Sequence, residues 1–239
     1  MRASYKLPHS RARSLGFDDC RRVIDAPVAA PDLHEKLGFE KWAVLGHSFG
    51  GKVALEYALR YPESLSHLVL LNSGGDSRWP QEYGPELLAR RGFPPKTVRL
   101  ARRFLNGQIE PREFLPSLMK LGSAYDPEAS MFQAAGVVLR GGWRSRLHPE
   151  ALIFAAPNLL RGWSVMDRLG EIKVPTLVMA GREDFCFPPE HQGQLAAAIP
   201  NAKLRIIEHA GHNPQWERAD EVVDALREFI RADAPALAA

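Results

Sequence analysis

The sequence has little cysteine, only Cys20 and Cys186 in 239 residues. Two isolated thiols make neither a disulfide framework nor a metal-ligand motif, so a reducing, cytoplasmic setting and no bound metal are the expectations. Long apolar runs are also missing. The longest, 151–157, falls far short of the roughly 18 residues a spanning helix needs, so no membrane role is expected. Charge of one sign is not in excess: 31 Lys and Arg stand against 28 Asp and Glu, a formal net charge of +3. That balance, with the two signs interspersed, does not suggest a polyanion-binding surface, and no nucleic-acid partner is expected. Residues 1–14 carry Arg2, Lys6, Arg11 and Arg13 but no apolar stretch of the secretory type. No internal repeat is visible. What is present, 45% hydrophobic and 25% charged residues, is the composition of one ordinary globular domain.

Short apolar segments alternate with helical patterns. Residues 41–46 read as a strand that stops at Gly46, and a helix follows from about Phe49 to Arg60, with Val53, Ala54, Tyr57 and Ala58 on one face. Tyr61-Pro62 ends it. Further strands are expected at 67–71, 176–179 and 204–207, with helices at 190–199 and 217–231. In the last, Val222, Leu226, Phe229 and Ile230 form a stripe. Such alternation predicts an α/β fold with a mostly parallel sheet flanked by helices. Between about 75 and 170 the strand signal disappears, and helices are expected at 94–106, 126–139 and 149–160. The expected division is therefore a core from 1–74 and 171–239 with a helical cap at 75–170. Lys96, Arg99 and Arg103 read as the solvated face of the first cap helix.

Gly46-His47-Ser48-Phe49-Gly50 fits the pattern G-x-S-x-G at a strand-to-helix junction. A serine on so sharp a turn needs small neighbours, which Gly46 and Gly50 supply, and the helix start aims free N–H groups, Phe49 first, at the site. A serine hydroxyl needs a base to remove its proton and a carboxylate to orient that base. Asp184 follows the strand at 176–179, and His212 follows the strand at 204–207. In a parallel sheet those positions share one edge with Ser48. Glu183 and His209 are the neighbours most easily confused with them, and are expected to face solvent and to end a strand. Cys186 is expected to be an inert packing residue.

On these residues the chain resembles the α/β-hydrolase superfamily, and within it the proline iminopeptidase-like branch of serine peptidases and esterases. The similarity is carried by residues 37–42 and 45–51, by Val174-Pro175-Thr176-Leu177-Val178 with 181–188, and by Gly211-His212-Asn213-Pro214 with Trp216-Glu217. The resemblance implies Ser48 as nucleophile, Asp184 as acid and His212 as base, with no cofactor. It also implies N-terminal strands and a His-Gly motif ahead of the nucleophile. Only 47 residues precede Ser48 and the dipeptide His-Gly is absent. Incomplete N-terminal strands and a half-built oxyanion hole are the expectations, and a catalytically impaired, ligand-binding hydrolase-like protein is the competing class.

The iminopeptidase resemblance further implies acidic residues that hold a substrate's free amine, one after the catalytic Asp and one in a segment like Ala156-Pro157-Asn158. Here Phe185 follows Asp184, and Leu159 follows Asn158. A small carboxylic ester is therefore expected ahead of an N-terminal peptide bond. Trp79, Trp163 and Phe185 are the candidate pocket residues, with Trp143 a further aromatic of the insertion.

Overall fold

The computed structural model describes residues 37–127 and 149–232. Four of the apolar segments become strands: β1 (Trp42–His47), β2 (Leu65–Leu71), β3 (Thr176–Gly181) and β4 (Ala202–Ile207). Among the described residues they form one sheet in the order β1-β2-β3-β4, every pairing parallel. The second strand starts two residues earlier than the apolar run predicts. A 3-10 turn at Pro62–Ser64 already delivers Leu65 to the sheet, where it is buried.

Parallel strands need crossovers, and helices supply them on both faces. After β1 comes α1 (Phe49–Arg60). Beyond β3 lie α7 (Pro189–Ala198) and, after β4, α8 (Pro214–Glu217) and α9 (Ala219–Ala232). The period of two along β2 explains how one strand serves two cores. Leu68 and Leu70 pack with Leu55 and Ala58 of α1, Val178 and Leu195, whereas Val69 and Leu71 pack with Leu177, Met179, Val222 and Phe229. Each such side chain, fully buried, contributes about 1.5–3 kcal/mol of transfer free energy. The stripe on α9 is Val222, Ala225 and Phe229, with Leu226 at its margin, while Ile230 faces outward at 43% exposure.

Between β2 and β3 the described chain is helical: a π turn at Trp79–Tyr83, then α2 (Gly84–Arg90), α3 (Pro95–Leu105), α4 (Pro111–Lys120), α5 (Gly122–Tyr125), α6 (Pro149–Asn158) and a 3-10 turn at Met166–Glu171. Proline recurs in the first turns of α2, α3 and α4, where its fixed φ suits the helix and its missing N–H costs nothing. Leu88, Ala101, Phe104, Leu121 and Ala124 form a third core that closes on Phe185, Cys186 and Phe187 of the sheet side. Lys96, Arg99 and Arg103 are exposed on α3 opposite Phe104. The helix expected at 126–139 and the side chain of Trp143 fall largely outside the described residues. No helix among those described is long and apolar enough to cross a membrane.

Candidate active site

All four strands deliver a polar residue just past their C-terminal ends: Ser48, Asn72, Asp184 and His212. The sharpest junction is the first. Ser48 has φ 54° and ψ −119°, a left-handed conformation that a β-carbon disfavours, and it serves as N-cap of α1. Its N–H donates to Leu71 O at 3.0 Å, tying the strained turn to the neighbouring strand. The close approach falls on Gly46, where a Cβ would be driven into Gly50 O and the Cα of Gly51. Gly50 itself faces open space among the described residues, so its place in the pattern is not a steric requirement.

The loops after β3 and β4 are drawn together by a similar contact: a Cβ on Gly181 would collide with the carbonyls of Ala210 and Gly211. This brings His212 Nδ1 to 3.0 Å from Asp184 Oδ2, and His212 Nε2 to 3.0 Å from Ser48 Oγ. Asp184 is fully buried, and burial alone would push its pKa up. His212, Asn72 and the N–H of Cys186 outweigh that and hold it below the ordinary carboxylate value. A carboxylate held ionised only accepts, so Nδ1 of His212 carries the donated proton and Nε2 is left to accept from Ser48.

Asn72 was not singled out by the sequence. It sits at φ 45°, its Nδ2 donates to Asp184 Oδ2 at 2.7 Å and to Gly211 O at 3.0 Å, and its Oδ1 accepts from Gly181 N. One buried amide thus locks Asp184 to the loop carrying His212. The loop is held from other sides as well. His212 N donates to Tyr125 O at 2.7 Å, and His47 Nε2 donates to His212 O at 2.8 Å. Burial, and then the neighbouring His212, lower the pKa of His47 and favour this neutral form. Glu183 is half-buried rather than solvent-facing, and its Oε2 accepts from Ala210 N at 3.0 Å. His209 is exposed two residues beyond β4.

Glu217 is a second group that sequence reasoning passed over as part of a motif. Its carboxylate accepts from Gly211 N at 2.6 Å and from Asn213 N at 2.7 Å, gripping the backbone on both sides of His212. Burial pushes its pKa up to about 7 despite those two bonds, and Asp126 and Asp184 push in the same direction. The folded state therefore binds a proton that the unfolded chain, with a carboxyl near 4.5, has released. Between about pH 4.5 and 7 this makes stability fall as pH rises. Glu217→Gln removes the titration, so thermal unfolding measured from pH 5 to 8 is expected to show a flatter profile in the variant than in the native chain.

A cavity of about 120 Å³ opens beside Ser48 and His212, with Phe49, Phe104, Leu105, Leu160 and Phe187 among its apolar walls. The aromatic wall is Phe187, not Phe185. The latter has no exposure and packs edge-on against Tyr125 in the third core. Trp79 likewise does not line the cavity; its ring stacks on His191, and the next residues, Pro80 and Gln81, reach the wall instead. Trp163 lies one layer back, its Nε1 bonded to Glu56 and its face under the ammonium of Lys52. Phe49 is the first residue of α1, so its N–H has no partner within the helix and remains available beside Ser48.

Asp184, Cys186 and His212 place ligand-type atoms within 4.8 Å of one another. They do not suit a metal as arranged. Asp184 Oδ2 already serves His212 and Asn72, and burial pushes the Cys186 thiol well above its ordinary pKa, away from the thiolate that a metal binds.

The chain places a serine on a left-handed strand-to-helix turn and an aspartate and a histidine after later parallel strands, and over residues 8–219 it is matched by a family model described as the alpha/beta hydrolase fold. The chain belongs to the α/β-hydrolase family. This hydrolase is 31% identical over 221 residues to the 2-hydroxy-6-oxo-6-phenylhexa-2,4-dienoate hydrolase of Comamonas testosteroni, covering 90% of this chain and 71% of that one. Among solved structures it resembles an alpha/beta fold family hydrolase of Bacillus anthracis (TM-score 0.69, 20% identity, 90% and 76% covered). It also resembles the proline iminopeptidase of Mycobacterium smegmatis (TM-score 0.64, 22% identity, 91% and 74% covered). Likenesses at that level of identity establish the fold of the hydrolase and nothing finer.

Proposed function

We propose that the chain hydrolyses small acyl compounds through a covalent acyl-serine, with Ser48 as nucleophile, His212 as general base and then acid, and Asp184 as the orienting carboxylate. The observation that carries this reading is the unbroken chain of 3.0 Å contacts from Asp184 through His212 to Ser48, opening into an apolar cavity. Ser48 Oγ adds to the substrate carbonyl while its proton passes to His212 Nε2. The developing oxyanion meets the Phe49 N–H at the helix start. Collapse expels the leaving group, which takes the proton from His212, and water then repeats the sequence to release the acid and restore Ser48.

A small carboxylic ester is the substrate class that the cavity favours over a peptide with a free N-terminus. Among the described lining residues there is no carboxylate to hold an α-ammonium, and there is a cation, Lys52, that repels one. The position after Asp184 is Phe185, turned away into the third core. A second reading, hydrolysis of a carbon–carbon bond next to a ketone, is favoured by the relatives whose names specify 6-oxo-dienoates. It uses the same attack on a carbonyl.

The two separate in a substrate panel of 4-nitrophenyl butyrate, proline 4-nitroanilide and 2-hydroxy-6-oxo-6-phenylhexa-2,4-dienoate. The expected result is turnover of the butyrate with the anilide untouched. Dienoate cleavage without ester cleavage would move the assignment to the second reading, and anilide cleavage with inert esters would overturn both.

A further inference from the structure

Lys52 stands four residues after Ser48 on α1, on the same helix face one turn along, and both line the cavity. It is 4% exposed, so its ammonium does not snorkel to solvent as helix lysines do. Among the described residues the protein gives Nζ one hydrogen-bond acceptor, the backbone carbonyl of Asp76. The ring faces of Trp163, at 4.6 Å, and Phe187, at 5.4 Å, cover it further.

The charge of Asp76 favours the ammonium, but its carboxylate does not bond Nζ: Oδ1 accepts from Arg78 N at 3.0 Å and Oδ2 from Arg78 Nη2 at 2.9 Å. His191, stacked on Phe187, offers no negative charge. It is fully buried, and burial brings its pKa down to about 4, so it stays neutral.

An ammonium in this setting is costly. Carbonyl and ring faces support a cation without neutralising it, and burial pushes the Lys52 amine down to about 7. Of its three N–H donors, one is matched to a carbonyl oxygen of the described chain. An anion entering the cavity would supply a counter-charge in direct contact and further acceptors together, and the surrounding apolar walls would strengthen that attraction.

We propose that Lys52 is the specificity-determining residue of this hydrolase, binding a carboxylate that the substrate carries a few bonds from the carbonyl attacked by Ser48. The substrate class is then a short acyl compound with a second, anionic end, in keeping with a cavity of about 120 Å³. The proposal rests on the reading of Ser48 as nucleophile, but it can fail separately from it.

The test compares mono-4-nitrophenyl glutarate with its neutral isostere, methyl 4-nitrophenyl glutarate, and repeats the pair with the succinate and adipate homologues. In the native chain, kcat/KM is expected to favour the anionic ester by about ten-fold or more at one chain length, mainly through KM. Lys52→Met should collapse that ratio towards one, and Lys52→Arg should restore part of it.

A native chain that hydrolyses both esters with no preference at any length overturns the proposal, whether or not the variants fold. So does a preference that survives Lys52→Met. If neither ester is hydrolysed, the Ser48 reading fails first, and calorimetric titration decides the Lys52 proposal on its own. Monomethyl glutarate should bind the native chain at least ten-fold more tightly than neutral dimethyl glutarate, and equal affinities would overturn it.

Discussion

Ser48→Ala is expected to lower kcat for any ester that the native chain turns over by about 10⁴- to 10⁶-fold, with little change in stability. The magnitude follows from the geometry. In the proposed mechanism Ser48 Oγ bonds to substrate, and its proton passes to His212 Nε2, which lies 3.0 Å away. Losing either leaves the partner idle, so His212→Ala should cost a similar factor and the double variant scarcely more than one alone. Steady-state kinetics on the three proteins check both the size and the lack of additivity. A double variant whose loss is the product of the two single losses would mean that the residues do not act as a unit.

The largest expected effect on stability is at Gly46. A methyl group there enters the first turn of α1 at Gly50 and Gly51, where it meets backbone rather than a yielding side chain. Gly46→Ala is therefore expected to cost about 3 kcal/mol or more and to displace Ser48 from His212. Gly50→Ala makes a sharp contrast. It meets open space on a helix, and exchanging glycine for alanine there is worth up to about 1 kcal/mol in favour of the variant. Urea unfolding of the two variants separates them. Equal destabilisation would contradict the packing described for the turn.

That contrast shows what a pattern read from sequence carries. G-x-S-x-G located the turn and its direction, because an apolar run ending in glycine ahead of a helical period has few other solutions. It could not say which glycine is under steric load, since that depends on where α1 leans. The alternation of strands and helices was legible for the same local reason. So was the order of Ser48, Asp184 and His212, because each follows its own strand.

Asn72 was not legible. It follows Leu71 as an ordinary polar residue ending a strand, and its role exists only through partners at Asp184, Gly211 and Gly181, far along the chain. Nothing in the local sequence marks Lys52 as buried. Its burial comes from Trp163 and Phe187, contributed by separate loops. Phe185 and Phe187 were interchangeable in sequence, and the turn of the chain after Asp184 decided that Phe187 faces the cavity while Phe185 joins Tyr125 behind it.

The central claim is that Ser48 is a nucleophile activated by His212, and the most direct measurement is the rate and site of its reaction with a fluorophosphonate, mapped by peptide mass spectrometry. The account predicts a single phosphonylated residue, Ser48, with labelling abolished in Ser48→Ala and slowed by several orders of magnitude in His212→Ala. Modification of another residue, or the same rate at Ser48 with His212 removed, would contradict it.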